Sequence, residues 1–142
     1  RLFMKLQKLA QKMTKEIKKI AVVDDDMIHL FTTKKMLQLT GYKGEIISFK
    51  NGEEALDGLS KIDNQNDFPE VIFLDINMPI LDGWGFLKNF ANKVPLHSYT
   101  KIYLVTSSID PADQEKVKSF PDVKVFITKP FTKEGLEQIY KD

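Results

Sequence analysis

Carboxylates, a hydroxyl and an amine stand where short apolar runs stop. Asp24, Asp25 and Asp26 follow residues 20–23, Asp75 follows Val71-Ile72-Phe73-Leu74, Thr106 follows residues 102–105, and Lys129 lies just past residues 123–127. Carboxylates brought together repel one another unless a cation intervenes. An all-oxygen site that keeps several waters suits Mg²⁺, which bridges carboxylates and phosphate. In such a site Asp75 has the character of a carboxylate nucleophile for phosphoryl transfer, Lys129 of a cation for phosphoryl oxygens, and Thr106 of a hydroxyl donor. Each residue alone has a plainer reading: acids before a helix balance its N-terminal charge, a threonine after a strand belongs to a turn, and Lys-Pro belongs to a loop. It is their joint order at four strand ends that argues for a site.

The elements that must position these groups are legible from pattern. A continuous apolar run rich in β-branched and aromatic residues, such as residues 71–74, reads as a parallel strand covered on both faces, and Pro79 and Gly83 break regular structure after Asp75. Further strands are expected over residues 20–23, 45–49, 102–105 and 123–127. A helix is expected over residues 27–39, with Ile28, Phe31, Met36 and Leu39 marking its apolar side and Gly41 its stop. Asn51-Gly52 turns the chain into a helix over residues 53–62, residues 63–69 form a polar loop, and residues 83–91 form a helix carrying Trp84, Phe86 and Leu87. Residues 95–99 are a loop. Asp110 caps a helix with Pro111 at its first position, running to about Phe120, and Thr132 caps a last helix over residues 132–140. Strands alternating with helices argue an α/β domain: a five-stranded parallel sheet with helices on both faces. Ligands of such sheets bind beyond the carboxyl ends of the strands.

The 142 residues accommodate one domain and an extension. Composition is that of a soluble globular protein, 42% hydrophobic and 29% charged, and no run approaches the roughly 20 apolar residues of a membrane span. A cytoplasmic location is expected. The lack of cysteine excludes disulfides and thiol catalysis. The net charge of +1 conceals a +6 segment over residues 1–19, where seven basic side chains face only Glu16, on a −5 remainder. Leu2, Leu6, Leu9, Met13 and Ile17 recur at helical spacing there, so residues 1–18 read as a basic amphipathic extension of a domain spanning residues 19–142. Its apolar side suits packing on a partner or a second copy, the end of a linker from a larger protein, or sequence upstream of a natural start at Met13. A basic segment can touch nucleic acid or membrane, but without Trp or Tyr a solvated face is the simpler account.

From residue 19 onward the chain resembles the receiver domain of two-component response regulators, through the acidic pair in IAVVDDD, the acceptor in FLDINMPILDG, the hydroxyl in YLVTSS and the lysine in FITKPF. The resemblance implies a flavodoxin-like sheet of order 2-1-3-4-5. It implies Asp75 as phosphoacceptor and Mg²⁺ as cofactor, ligated by Asp25, Asp75 and the backbone carbonyl of Asn77, with Asp24 assisting through metal-bound water. Thr106 and Lys129 would hold phosphoryl oxygens, Ser107 would leave access, and the Lys129-Pro130 peptide would be cis. Thr106 and Phe126 would form the switch. Phe126 lacks the hydroxyl of the tyrosine common at that position. Asn77 and Ser108, two residues after acceptor and hydroxyl, would tune the phosphoryl lifetime.

The partners so implied are a histidine kinase or histidine phosphotransfer protein and a downstream protein target. Homodimerisation stays open. Because only twelve residues follow Pro130, output is expected from the face made by the fourth helix, fifth strand and fifth helix, without direct DNA binding. Such a domain modifies and dephosphorylates itself and is not otherwise an enzyme; a relay role without output fits equally. Other readings stand beside this one. A haloacid-dehalogenase-type phosphatase would use Asp24 and Asp26 with Thr106 and Lys129, but leaves Asp75 unexplained and lacks a further acidic motif. Flavin mononucleotide binding would place three aspartates against a phosphate. A receiver acting only by interaction would not need every chemical position filled. His29 reads as a helix-surface residue, and His97 as a loop residue.

Overall fold

The apolar runs form the strands β1 (Lys19–Val23), β2 (Glu45–Phe49), β3 (Val71–Asp75), β4 (Lys101–Thr106) and β5 (Val123–Thr128). All neighbours pair parallel, in the order β2-β1-β3-β4-β5. The computed structural model describes residues 1–6, 17–107 and 109–140. β3, at the centre, is buried along its whole length, as a run without polar alternation requires.

Between the strands run α1 (Met27–Leu39), α2 (Gly52–Ser60), α3 (Gly83–Lys93) and α4 (Pro111–Val117), and α5 (Lys133–Glu137) follows β5. One sheet face, through Ala21, Val23, Ile72, Leu74, Ile102 and Leu104, packs on α2 and α3, with Val117 and Phe120 at its edge. The other, through Ile20, Val22, Val71, Phe73, Tyr103 and Val105, packs on Leu37 of α1 and Leu136 and Ile139. Ile17, ahead of β1, is buried in this second cluster.

Side-chain caps start the helices where the sequence places them. Asn51 accepts from Glu54 N at 2.8 Å, Asp82 from Gly85 N at 2.8 Å and Asp110 from Asp113 N at 2.9 Å. These bonds satisfy amides that have no partner inside a helix. Thr132 Oγ1 likewise accepts from Gly135 N.

Several boundaries differ from expectation. α4 ends at Val117, and the chain to Phe120 continues as tighter turns, with Lys118, Ser119 and Phe120 amides bonding three residues back. The last helix is α-helical only to Glu137 and then tightens to a 3₁₀ turn at Gln138–Tyr140. Short 3₁₀ turns also shape the two loops, at Gln65–Asp67 and His97–Tyr99.

The face of α1 is a larger correction. Ile28, Phe31 and Leu39 are exposed, as is Met27, while Thr33 and Leu37 are buried and His29, Leu30 and Met36 partly so. α1 carries apolar side chains on more than one side, so periodicity alone does not select the buried stripe. Of the N-terminal extension, residues 2–6 are helical with Leu2, Phe3, Met4 and Leu6 exposed. Of the rest of the expected apolar stripe, Ile17 is buried in the second cluster, and Leu9 and Met13 lie outside the described residues.

Candidate functional site

Register brings the predicted side chains together. Val23 of β1 pairs with Leu74 of β3, so Asp24 and Asp75 are next-door neighbours one step further on. Asp75 pairs with Val105, the residue before Thr106, and Thr106 pairs with Thr128, the residue before Lys129. Each adjacent strand thus contributes one group at the same edge of the sheet. The Lys129 amide donates to the Thr106 carbonyl at 2.8 Å, anchoring the last of them, and the Lys129-Pro130 peptide is cis.

The carboxylates are gathered closely. Asp24, Asp25 and Asp75 each offer an oxygen within 4.8 Å of the others; Asp24 and Asp75 are buried and Asp25 is exposed. Asp75 Oδ1 accepts from Asn77 N at 3.3 Å and Asp75 Oδ2 from Lys129 Nζ at 3.1 Å. Lys129 Nζ also lies 3.5 Å from Asp24 Oδ2. Asp24 Oδ1 accepts from Asp26 N at 2.9 Å, while Asp24 Oδ2 is bonded by His29 Nδ1.

These surroundings separate the two buried acids. Burial pushes both carboxyls up. At Asp75 the nearby Asp24 charge adds to burial, so it lies above the usual range despite the hydrogen bond from Lys129. At Asp24 the bond from His29, the Asp26 amide and the Lys129 charge outweigh burial, and it lies below that range. Two like charges sharing one lysine divide in this way, one holding its proton more tightly than the other. Three clustered carboxylates with one lysine leave an excess of negative charge, and one open, exposed ligand in Asp25. That donor set, hard oxygen only and accessible from solvent, fits a magnesium ion.

The loop after β3 is held by backbone contacts. Gly83 N donates to Ile76 O at 2.8 Å and Gly52 N to Leu81 O at 3.0 Å. A Cβ on Gly83 would lie 2.7 Å from the Asp75 carbonyl oxygen and 2.8 Å from Ile76 Cα, so the glycine lets α3 start directly against the end of β3. Ile80, exposed within this loop, has φ 68°, the left-handed region that β-branched residues avoid.

Thr106 is buried at the end of β4 and Ser107 beyond it is exposed. Asn77 is exposed. Phe126 pairs with Leu104 and is half-buried against the α2–α3 side of the sheet. Ser108 lies outside the described residues.

His29 is where the sequence reading fails. It is not on the surface: its side chain is 13% exposed, bonded to Asp24 and set edge-on to Phe131 at 4.9 Å between ring centroids. The available signal was the cap. Asp26 accepts from the amides of Ile28 and His29, which makes it the N-cap and His29 the third helical residue. Side chains in a first helical turn lean back toward the N-terminus, and the third position is the one that reaches back in a capping box. His97 bonds Asp122 Oδ2 at 3.4 Å at the opposite edge of the sheet, away from this cluster.

A parallel 2-1-3-4-5 sheet with an acidic cluster and a lysine at its carboxyl edge defines a flavodoxin-like domain built to handle a phosphoryl group. Residues 20–141 match the model of the response regulator receiver domain, and the chain belongs to that family. It is 28% identical over 129 residues to the hybrid signal transduction histidine kinase L of Dictyostelium discoideum, covering 90% of this chain and 7% of the kinase. The crystal structure of a two component response regulator from Cytophaga hutchinsonii superposes with TM-score 0.81 at 30% identity, over 88% of this chain and 95% of that one. The receiver domain of sensor histidine kinase PA1611 from Pseudomonas aeruginosa, with a magnesium ion coordinated in its active site cleft, shares the fold at TM-score 0.71 and 19% identity, over 87% and 94% of the two chains. The chain spans less than half the length of the curated relatives it matches, 7% of the kinase above and 46% of a probable transcriptional regulator from Porphyra purpurea. No described helix is long and apolar enough to cross a membrane.

Proposed function

We propose that this receiver domain takes a phosphoryl group onto Asp75 from the phospho-histidine of a histidine kinase or histidine phosphotransfer protein, and releases it by hydrolysis. The observation that carries this is the Asp75 carboxylate at the open edge of the sheet, 3.1 Å from Lys129 and clustered with Asp24 and Asp25. In the transfer an Asp75 oxygen bonds to phosphorus as the P–N bond to the donor imidazole breaks. The bonding pair stays on that nitrogen. Lys129 and Thr106 bind phosphoryl oxygens. Asp25, Asp75 and the Asn77 backbone carbonyl would hold Mg²⁺, with Asp24 assisting through metal-bound water, and the ion would supply positive charge to offset the phosphoryl oxygens. Hydrolysis returns Asp75 and inorganic phosphate, and Asn77 and Ser108 set its rate. The reaction is one the domain performs on itself.

Apolar surface next to the site supports a docking partner. Met27, Ile28 and Phe31 are exposed on the first turns of α1, beside Asp25 and Asp26, a stripe suited to a helix that carries the donor histidine. Output follows from a pre-existing two-state equilibrium in which Thr106 and Phe126 move together and reshape the face made by α4, β5 and α5. That face engages a downstream protein, or a second copy of the domain, in the cytoplasm and without DNA contact by the domain itself.

Intact mass after incubation with Mg²⁺ and acetyl phosphate tests the chemistry. Wild type should gain one labile phosphoryl group and Asp75→Asn none. A gain that persists in Asp75→Asn would place the acceptor elsewhere.

A further inference from the structure

His29 belongs to no part of the phosphoryl chemistry above, yet it is partly buried against the site and bonded to Asp24. We infer that His29 is a positioning residue that fixes the Asp24 carboxylate for magnesium. The inference rests on the reading of Asp24, Asp25 and Asp75 as the ion's site.

The carboxylate of Asp24 is nearly inaccessible, at 3% exposure, so each of its oxygens needs a donor. Asp24 Oδ1 has the Asp26 amide at 2.9 Å. Asp24 Oδ2 has two candidates, His29 Nδ1 and Lys129 Nζ, the latter at 3.5 Å. A carboxylate only accepts, so His29 Nδ1 is the donor. Among the described residues His29 Nε2 has no hydrogen-bond partner, and the imidazole packs T-shaped with Phe131. Among the described residues the imidazole therefore has one polar engagement, Asp24.

This engagement settles a competition. Lys129 sits nearer to Asp75, at 3.1 Å, than to Asp24. Without His29, Asp24 Oδ2 keeps Lys129 as its donor, which draws the lysine from Asp75 and lets the carboxylate turn. With His29 in place, both Asp24 oxygens are held while lone pairs remain for the ion's water, since a carboxylate offers about four acceptor sites. Partners that orient a ligand typically contribute 10–100-fold to metal affinity. Asp24 acts through water, so the lower end applies.

Calorimetric titration of the metal-free protein with MgCl₂ tests this, using His29→Leu and His29→Asn beside wild type. The Leu variant keeps apolar packing on Phe131 and loses the donor; binding should weaken about tenfold. The Asn amide sits on Cγ as His Nδ1 does, so it restores the donor but leaves a void against Phe131. It should bind Mg²⁺ close to wild type while melting at a lower temperature than the Leu variant. A purely structural role predicts the reverse: affinity following stability, with Asn the weaker binder. Equal affinity for wild type and His29→Leu would overturn the inference and leave the magnesium site intact. No binding by wild type would instead remove the site on which both readings stand.

Discussion

Replacing Lys129 with Met removes the cation shared by two buried carboxylates and keeps most of the side-chain volume. The ammonium lies 3.1 Å from Asp75 and 3.5 Å from Asp24. At an effective dielectric constant of about 20, each attraction is on the order of 5 kcal/mol before desolvation is counted. The variant does not lose the sum, because it can discharge the cluster by protonating Asp75. From the ordinary value of 3.8, that proton costs about 4 kcal/mol at pH 7. This is a ceiling. Asp75 is already raised in the wild type, so part of the cost is present there, and Lys129 is 19% exposed and partly screened. A loss of about 2 kcal/mol at neutral pH is expected, below the roughly 3–5 kcal/mol of a fully buried broken pair.

The pH dependence follows from the direction of the Asp75 shift. A carboxyl raised in the folded state adds stability below its unfolded value, and that stability is lost as pH rises through the folded value. Lys129 pulls Asp75 down, so the variant's carboxyl lies higher still. The gap between wild type and variant should be widest at neutral pH and narrow as pH falls toward about 4, while the share that runs through Asp24, held below the usual range, persists to lower pH. Urea denaturation followed by circular dichroism at both ends of that window measures it. A gap of equal size at both pH values would refute the electrostatic account and assign the loss to packing.

Two further outcomes test other parts of the structure. Ile28→Ser should slow phosphoryl transfer from a phospho-histidine protein about tenfold, the scale of one apolar interface anchor, and leave modification by acetyl phosphate unchanged; slowing of both would move Ile28 from docking to chemistry. Ile80→Gly removes a left-handed β-branched residue whose conformation costs about 1–2 kcal/mol and reintroduces roughly 0.5–1 kcal/mol of chain entropy. A gain of up to about 1.5 kcal/mol in urea is expected, and a loss would show that the exposed Ile80 side chain makes a stabilising contact.

The sheet and the acidic site were legible because one constraint produces both. A strand buried on both faces reads as an unbroken apolar run, and the first polar residue after it, Asp24, Asp75 or Thr106, marks the edge where ligands bind. Gly83 as a break and Asp110 as a cap were legible for a similar reason, since each does a job few side chains can do, whereas Asn51 was read only as a turn and the Asp82 cap emerged from the structure. α1 was not, because Met27, Ile28, Phe31 and Leu39 compete with Leu30, Met36 and Leu37 for the core, and only packing against β1 and α5 decides between them. His29 was hidden by that same ambiguity: once the wrong stripe is turned inward, its ring faces solvent. The length of α4 was misjudged because nothing in residues 118–120 forbids helix, and Pro121 ends it only after the ladder has already tightened.

The register that assembles the site also governs when it can exist. β1 and β3 are about fifty residues apart in sequence yet adjacent in the sheet, and Lys129 reaches Asp75 only after β4 and β5 have docked. Pairings of this kind are slow to form. A chain in which β1 and β3 have not paired has scattered acids, and a magnesium ion that needs all three carboxylates would find them together only once that pairing has formed. Its effect should fall on the unfolding limb of the kinetics, lengthening the life of the native state while leaving the rate of refolding nearly unchanged.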